Sequence, residues 1–329
     1  MPTATASWYS SKTPKTHSET PLRPLSETVR DSVSRSRPLP ALQSVSRELP
    51  SIAARQDIFI GNYDPAGPGP NQLLLNQGGA TFAVQGLPTS ASSLTSGAQQ
   101  TLALEVSDLD GDGDMDVVVG HDRALNEILV NDGSGNFVAR ALGSTTLTTD
   151  SLAVGDVDGD GLIDIVEGNA GDGEFADGTN YLHMNQGKYL LTGVEPFMSL
   201  ALPSSDGASA YTNALKVGDV DGDGNADIIV GNYKNYAAGM ETQSNQLLRN
   251  RGKGSDGLMT FEAEDLPRGD AATLALGLAD VDNDGDLDIV CGNYDGPNTL
   301  LKNDGKGVFT ASDLPGRSDD DNTNALVIF

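Results

Sequence analysis

From Asp57 to Phe329, apolar residues fall into short runs bounded by Gly, Asn or Asp, and no stretch repeats them at helical spacing. Runs of this length, rich in Val, Ile and Leu, predict strands rather than helices. They also recur in a fixed order. One group reads "DIFIGN" (57–62), "DVVVGH" (116–121), "DIVEGN" (164–169), "DIIVGN" (227–232) and "DIVCGN" (288–293). A second group, Asn-bounded, reads "NQLLLN" (71–76), "NEILVN" (126–131), "NYLHMN" (180–185), "NQLLRN" (245–250) and "NTLLKN" (298–303). A Gly-rich turn and a further strand follow, and a Leu-Pro pair closes most units, at 87–88, 202–203, 266–267 and 314–315.

The unit is therefore strand, aspartate-rich loop, apolar strand, loop, Asn-bounded strand, turn, strand. Its full copies begin at Asp108, Asp156, Asp219 and Asp280, so they are spaced by 48, 63 and 61 residues. Four short strands per unit, without helical period, predict an all-β fold of four-stranded propeller blades. The near-continuous apolar second strand agrees, because a strand covered on both faces by neighbouring blades need not alternate. The last segment, "NALVIF" (324–329), resembles the first strands "TLALEV" (101–106) and "TLALGL" (273–278). It is expected to pair with the opening "DIFIGN" and complete a shared blade in a five-membered ring. The alternative is a larger ring of which these are the first units.

The loops carry the candidate chemistry. Four of them fit D-x-D-x-D-G-x-x-D: Asp108, Asp110, Asp112 and Asp116; Asp156, Asp158, Asp160 and Asp164; Asp219, Asp221, Asp223 and Asp227; Asp280, Asp282, Asp284 and Asp288. A hard cation such as Ca²⁺ takes about 6–8 oxygens at roughly 2.3–2.6 Å. Alternate aspartates in a tight turn present three carboxylates to one centre, and the fourth closes it. The seventh residue (Asp114, Leu162, Asn225, Asp286) varies in chemistry, as expected of a backbone-carbonyl ligand. Glycine at the sixth position (Gly113, Gly161, Gly224, Gly285) allows the sharp turn. About four Ca²⁺ sites are expected; Mg²⁺ and Mn²⁺ suit so many protein oxygens less well. An EF-hand would need glutamate at the twelfth position, where the chain has Val119, Glu167, Val230 and Cys291, and helical flanks. The bland alternative is an acidic surface turn that holds no metal.

Charge divides the chain in two. Residues 1–56, rich in Ser, Pro, Thr and Arg, carry eight Lys/Arg against four Asp/Glu, whereas 57–329 carry 12 against 43. The first segment is expected to be disordered, as a linker or a targeting peptide, because it holds too little apolar surface to offset chain entropy. The second is expected to be the propeller. So acidic a body repels nucleic acid and anionic lipid, so neither is an expected partner. No run approaches the roughly 20 apolar residues of a membrane span. The start lacks the apolar centre of a secretory signal.

With these residues in view, "VGDVDGDGLIDIVEGN" and "LADVDNDGDLDIVCGNYDGPNTLLKNDGKGVF" resemble FG-GAP/VCBS-type repeats, the blades of integrin α-subunit-like propellers. The resemblance covers about 57–329. It implies a β-propeller with calcium on the hairpin joining the first two strands of a blade, and ligands bound on the opposite face. The literal Phe-Gly and Gly-Ala-Pro signatures of integrins do not occur. The function implied is a calcium-binding module, monomeric, that recognises a protein or glycan at the cell surface or outside the cell, where calcium is plentiful. A polysaccharide lyase or hydrolase on the same scaffold, and a purely structural scaffold, are the rival readings.

Other candidates lie in the loops after the second strands. Tyr63, Tyr233 and Tyr294 share one repeat position, with Phe175 and Tyr236 in longer versions at 169–180 and 232–245. Such rings either stack on a ligand or pack between blades. His183 replaces the leucine of the other units (Leu74, Leu129, Leu248, Leu301) and is expected to be packed with a local partner. His121 stands where other units place Asn, and Cys291 reads as a buried hydrophobe. No Ser/His/Asp spacing, phosphate loop or zinc spacing is visible.

Overall fold

The computed structural model describes residues 43–48, 56–63, 70–88, 100–171, 178–187, 197–204, 211–233, 243–268, 271–294, 296–316 and 322–328. These form five four-stranded antiparallel sheets, each a meander in chain order. Sheet one is β1 (Gln43–Glu48), β2 (Gln56–Gly61), β3 (Gln72–Gly78) and β4 (Thr81–Gly86). Sheet two is β5 (Thr101–Ser107), β6 (Asp116–His121), β7 (Asn126–Asn131) and β8 (Phe137–Leu142). Sheet three is β9 (Thr148–Gly155), β10 (Asp164–Ala170), β11 (Tyr181–Asn185) and β12 (Phe197–Ala201). Sheet four is β13 (Thr212–Gly218), β14 (Asp227–Asn232), β15 (Gln246–Lys253) and β16 (Met259–Asp265). Sheet five is β17 (Thr273–Ala279), β18 (Asp288–Asn293), β19 (Thr299–Asn303) and β20 (Phe309–Asp313). The fold is the β-propeller that the repeat pattern predicts.

The core lies between sheets. Every position of β6, β10, β14 and β18 is buried, and successive side chains enter different clusters. Val117 and Val119 pack with Phe59 and Leu73 of sheet one, while Val118 packs with Leu152 and Ile165 of sheet three. In β14, Ile228 joins Val166 and Leu182, and Ile229 joins Leu276 and Ile289. A strand used on both faces reads as a continuous apolar run. The outermost strands carry the solvent boundary, so β4, β12 and β20 are mostly exposed.

A second contact repeats between sheets. The glycine before the last residue of the "GN" or "GH" pair sits under a threonine from the next sheet. A Cβ on Gly168 would meet Thr212 Cγ2 at 2.8 Å and Leu215 Cδ1 at 2.9 Å, closer than carbon atoms approach. Gly61, Gly120 and Gly231 stand in the same relation to Thr101, Thr149 and Thr273. Each of these threonines is also hydrogen-bonded to asparagine, as in Thr212 Oγ1 to Asn232 Oδ1 at 3.1 Å and Asn180 Nδ2 to Thr212 Oγ1 at 2.9 Å.

The expected pairing of 324–329 with the opening second strand is not what the structure shows. The inner edge of β2 is held by β1, in register Gln43↔Gly61 to Glu48↔Gln56. That strand falls within the segment 1–56 read as disordered. The described residues 322–328 form no strand, yet the Thr323 methyl lies against Gly292, and Thr323 N–H donates to Asn293 carbonyl at 2.9 Å. Thr101 does the same to Asn62 at 3.1 Å. Asn324, Ala325 and Leu326 line a narrow central cavity of about 70 Å³ together with β5, β9, β13 and β17. The segment thus has an inner strand's seat against the preceding sheet, without an inner strand's pairing.

Candidate metal centres

Each aspartate loop joins the first and second strands of a sheet, all at one end of the strands. In each, the first aspartate accepts the sixth residue's N–H through Oδ2 at 3.0 Å: Gly113 to Asp108, Gly161 to Asp156, Gly224 to Asp219 and Gly285 to Asp280. These glycines have φ from 89° to 99°, which a side chain resists. The fourth position is left-handed too, at Gly111, Gly159, Gly222 and Asn283 with φ between 61° and 73°. Asn283 fits, since Asn tolerates that region best after glycine.

The first, second and fourth aspartates converge. Asp108, Asp110 and Asp116 each offer an oxygen within 4.8 Å of the others, and so do Asp156, Asp158 and Asp164; Asp219, Asp221 and Asp227; Asp280, Asp282 and Asp288. The third aspartate stands outside each triad: Asp112, Asp160, Asp223 and Asp284 accept the N–H of Asp114, Leu162, Asn225 and Asp286 at 2.8–3.2 Å. Of those seventh residues, Asp114 and Asp286 bring no carboxylate into the triads.

The fourth aspartate has a further task. Asp164 Oδ1 accepts Asn185 N–H at 2.8 Å, from β11, and Oδ2 accepts Val157 N–H at 2.8 Å, from its own loop. Asp116, Asp227 and Asp288 repeat both bonds with Asn131 and Leu109, Asn250 and Val220, Asn303 and Val281. Asp57 in sheet one accepts Asn76 N–H at 2.7 Å. The asparagine then reaches across, with Asn185 Nδ2 bonded to Leu109 carbonyl and Asn250 Nδ2 to Val157 carbonyl, both at 2.7 Å. One sheet's third strand therefore clamps the preceding sheet's aspartate loop.

Burial sets the electrostatics. It pushes the Asp116 carboxyl up to about 7 against its backbone hydrogen bonds, with Asp110 and Asp112 adding repulsion. Asp164 and Asp227 rise to about 6 for the same first reason. Asp156 Oδ1 is buried without a hydrogen-bond partner. An orphaned carboxylate oxygen amid converging carboxylates is costly unless something positive meets it. The all-oxygen donor set fits a hard divalent cation. Bound there, the cation would supply the positive charge that these carboxylates lack. Basic side chains already approach three loops: Lys253 Nζ is 3.0 Å from Asp158, Arg249 and Arg251 are 3.2 and 3.4 Å from Asp221, and Lys302 contacts Asp282 and Asp284.

At the other end of the strands, half-buried Tyr233 lies between Tyr211 (ring centroids 5.7 Å) and Tyr294 (5.5 Å, edge-on). Tyr211 was missed because it precedes a first strand, outside the loop position shared by the others. Tyr63 is half-buried, and Phe175 and Tyr236 lie outside the described residues. Cys291 is buried, which pushes its thiol up to about 12. His121 is buried 3.8 Å from Glu127.

His183 has more than one partner. Its Nδ1 lies 2.8 Å from Ser199 Oγ and its Nε2 lies 2.7 Å from Glu167 Oε2. The Ser/His/acid line that the sequence hid is spread over β10, β11 and β12.

The FG-GAP-like repeat profile matches residues 54–119, 108–167, 219–291 and 280–329. The chain belongs to the FG-GAP-like repeat family. Among solved structures, this FG-GAP-like repeat protein is similar to BBS1N, crystallised in complex with ARL6DN, at 12% identity and a TM-score of 0.50, over 85% of this chain and 70% of that one. It is also similar to the V. cholerae biofilm matrix protein Bap1, at 16% identity and a TM-score of 0.45, over 88% of this chain and 42% of that one. No curated protein matches it. Among the described residues of the repeat protein, no helix is long and apolar enough to cross a membrane.

Proposed function

We propose that this chain is a calcium-binding propeller that recognises a protein or glycan on the face opposite its aspartate loops. The observation that carries the reading is the fourfold recurrence of a converging aspartate triad at one end of successive sheets. Calcium holds each loop to the strand behind it, and the stiffened sheets fix the loops at the other end. There the Tyr211, Tyr233 and Tyr294 rings form a platform on which a sugar face or a peptide side chain stacks. That BBS1N binds ARL6DN on a similar fold supports a protein ligand. Binding of calcium by weak, extracellular-type sites, with dissociation constants of roughly 10⁻⁴–10⁻³ M, suits a compartment rich in calcium. We expect a monomer.

Calorimetric titration with CaCl₂ tests the metal, and about four equivalents are expected. Glycan and protein arrays, probed with the calcium-loaded chain and with Tyr233→Ala, test recognition. A ligand lost on that substitution supports the reading; no calcium heat, or arrays unchanged by Tyr233→Ala, counts against it. Turnover in a parallel lyase and hydrolase screen with polysaccharides would favour the enzymatic alternative.

A further inference from the structure

Sheet three differs from its four sisters at three adjoining positions. Where the others place Ile60, Val119, Val230 and Cys291, it has Glu167. Where they place Leu74, Leu129, Leu248 and Leu301, it has His183. Opposite these leucines stand Val84, Ala139, Ala263 and Ala311, but opposite His183 stands Ser199. The repeats thus supply their own control. The fold is satisfied by three apolar residues there, and burying a histidine and a glutamate instead is a stability cost.

What the exchange creates is a connected line. Glu167 and His183 are each 1% exposed, whereas Ser199 is exposed on the outer strand. The Glu167 carboxylate accepts the Nε2 proton at 2.7 Å, which leaves Nδ1 as an acceptor 2.8 Å from the Ser199 hydroxyl. Tyr181 stacks on the imidazole at 6.2 Å. Gly143, from the loop before β9, covers its Cε1 edge, where a Cβ would come within 3.1 Å. The ring is therefore held in one orientation by stacking and by both nitrogens, and among the described residues its Nδ1 partner is a hydroxyl at the surface.

We propose that Ser199 is a nucleophile activated by His183, with Glu167 as positioning residue, and that it accepts acyl groups from small carboxylic esters. Ser199 Oγ attacks the carbonyl carbon as its proton passes to Nδ1. The bond to the alkoxide breaks, and that proton leaves with it as alcohol. Water then attacks the acyl-serine carbonyl, its proton returns through Nδ1 to Oγ, and a carboxylic acid is released. The exposed strand position admits small acyl groups. This activity is separate from recognition at the tyrosine face, and neither depends on the other.

The test uses the full chain, a fluorophosphonate probe and p-nitrophenyl acetate. Expected are one adduct, mapped to Ser199, no adduct in Ser199→Ala, and labelling slowed roughly a hundredfold in His183→Leu. Glu167→Gln, which keeps a hydrogen-bonding group but removes the charge, should slow labelling while the adduct stays on Ser199, whereas a purely structural pair would leave the rate in place. Joint replacement by the sister residues (Glu167→Val, His183→Leu, Ser199→Ala) should melt no lower than the parent, so lost labelling is not lost fold. Absence of an adduct, an adduct elsewhere, or equal rates in His183→Leu and the parent would overturn the assignment.

Discussion

The proposed calcium role gives the fourth aspartate of each unit a second job beside its hydrogen bonds, and a single comparison separates the two. Asp164 accepts N–H groups from Asn185 and Val157, both at 2.8 Å, and belongs to a carboxylate triad that could hold a metal ion. Asp57 accepts Asn76 N–H at 2.7 Å and belongs to none of the triads among the described residues. Replacing Asp57 with Ala strands one backbone donor, a loss of about 1–3 kcal/mol. Replacing Asp164 with Ala strands two buried donors, for about 2–6 kcal/mol. For a chain of this size these translate into falls of a few degrees and of roughly 5–15 °C. Scanning calorimetry in chelator should show both falls, because neither involves metal. In calcium at a hundredfold over the dissociation constant, the Asp164→Ala deficit should widen by about 2.7 kcal/mol, the binding energy of one lost site. The Asp57→Ala deficit should stay as it was. Were Asp164→Ala to melt with the parent in chelator, the hydrogen-bond role would be refuted. Were the two variants to respond alike to calcium, the metal role would be.

Two further outcomes follow from the charges. Asp116 at about 7, and Asp164 and Asp227 at about 6, lie above the ordinary 3.8, so the folded chain holds these protons more tightly than the unfolded one. Their stabilisation is complete below about 4 and is lost as pH rises through 6–7. The calcium-free melting temperature should therefore fall between pH 5 and pH 7.5, while the gain on adding calcium should grow; a gain equal at both pH values would contradict this. Lys302 contacts Asp282 and Asp284, so it competes with a cation, and Lys302→Met should tighten the fourth calcium site by up to about fivefold. Titration calorimetry showing weaker binding there would reverse the assigned role.

Much of this was legible because the chain repeats itself. The buried second strands could be read from "DVVVGH" and "DIIVGN", since a strand covered on both faces needs no alternation. The aspartate loops could be read from spacing, and so could the need for a left-handed glycine at the sixth position. Asn283 at the fourth position shows where that reading stopped short: three units have glycine there, and the fourth keeps the same backbone with a different residue. The hydrogen-bonding role of Asp116, Asp164, Asp227 and Asp288, beside the proposed metal role, was hidden for a related reason. A carboxylate that accepts backbone N–H groups and one that coordinates a cation are the same letter in the same place. Only Asp57, repeating the letter outside any aspartate loop, separates the two uses.

The segment 323–328 shows a deeper limit. Its likeness to "TLALEV" (101–106) and "TLALGL" (273–278) predicts an inner strand, and an inner strand makes two kinds of contact. One is sideways, the threonine methyl on the preceding sheet's glycine; the other is along the sheet, the ladder to its own second strand. Thr323 makes the first with Gly292, while β1 makes the second with β2. Side chains encode the sideways contact, so the letters predict it. The ladder joins backbone groups that every residue but proline carries, so the polar "QSVSRE" fills that edge without matching the pattern. A repeat signature in this fold therefore specifies which sheet a strand leans on more strongly than which strand it pairs with. The same logic brought the Glu167, His183 and Ser199 line to light. Those residues interrupt the sideways pattern at three places, and an interruption repeated across three adjacent strands marks a site more plainly than any one of its letters.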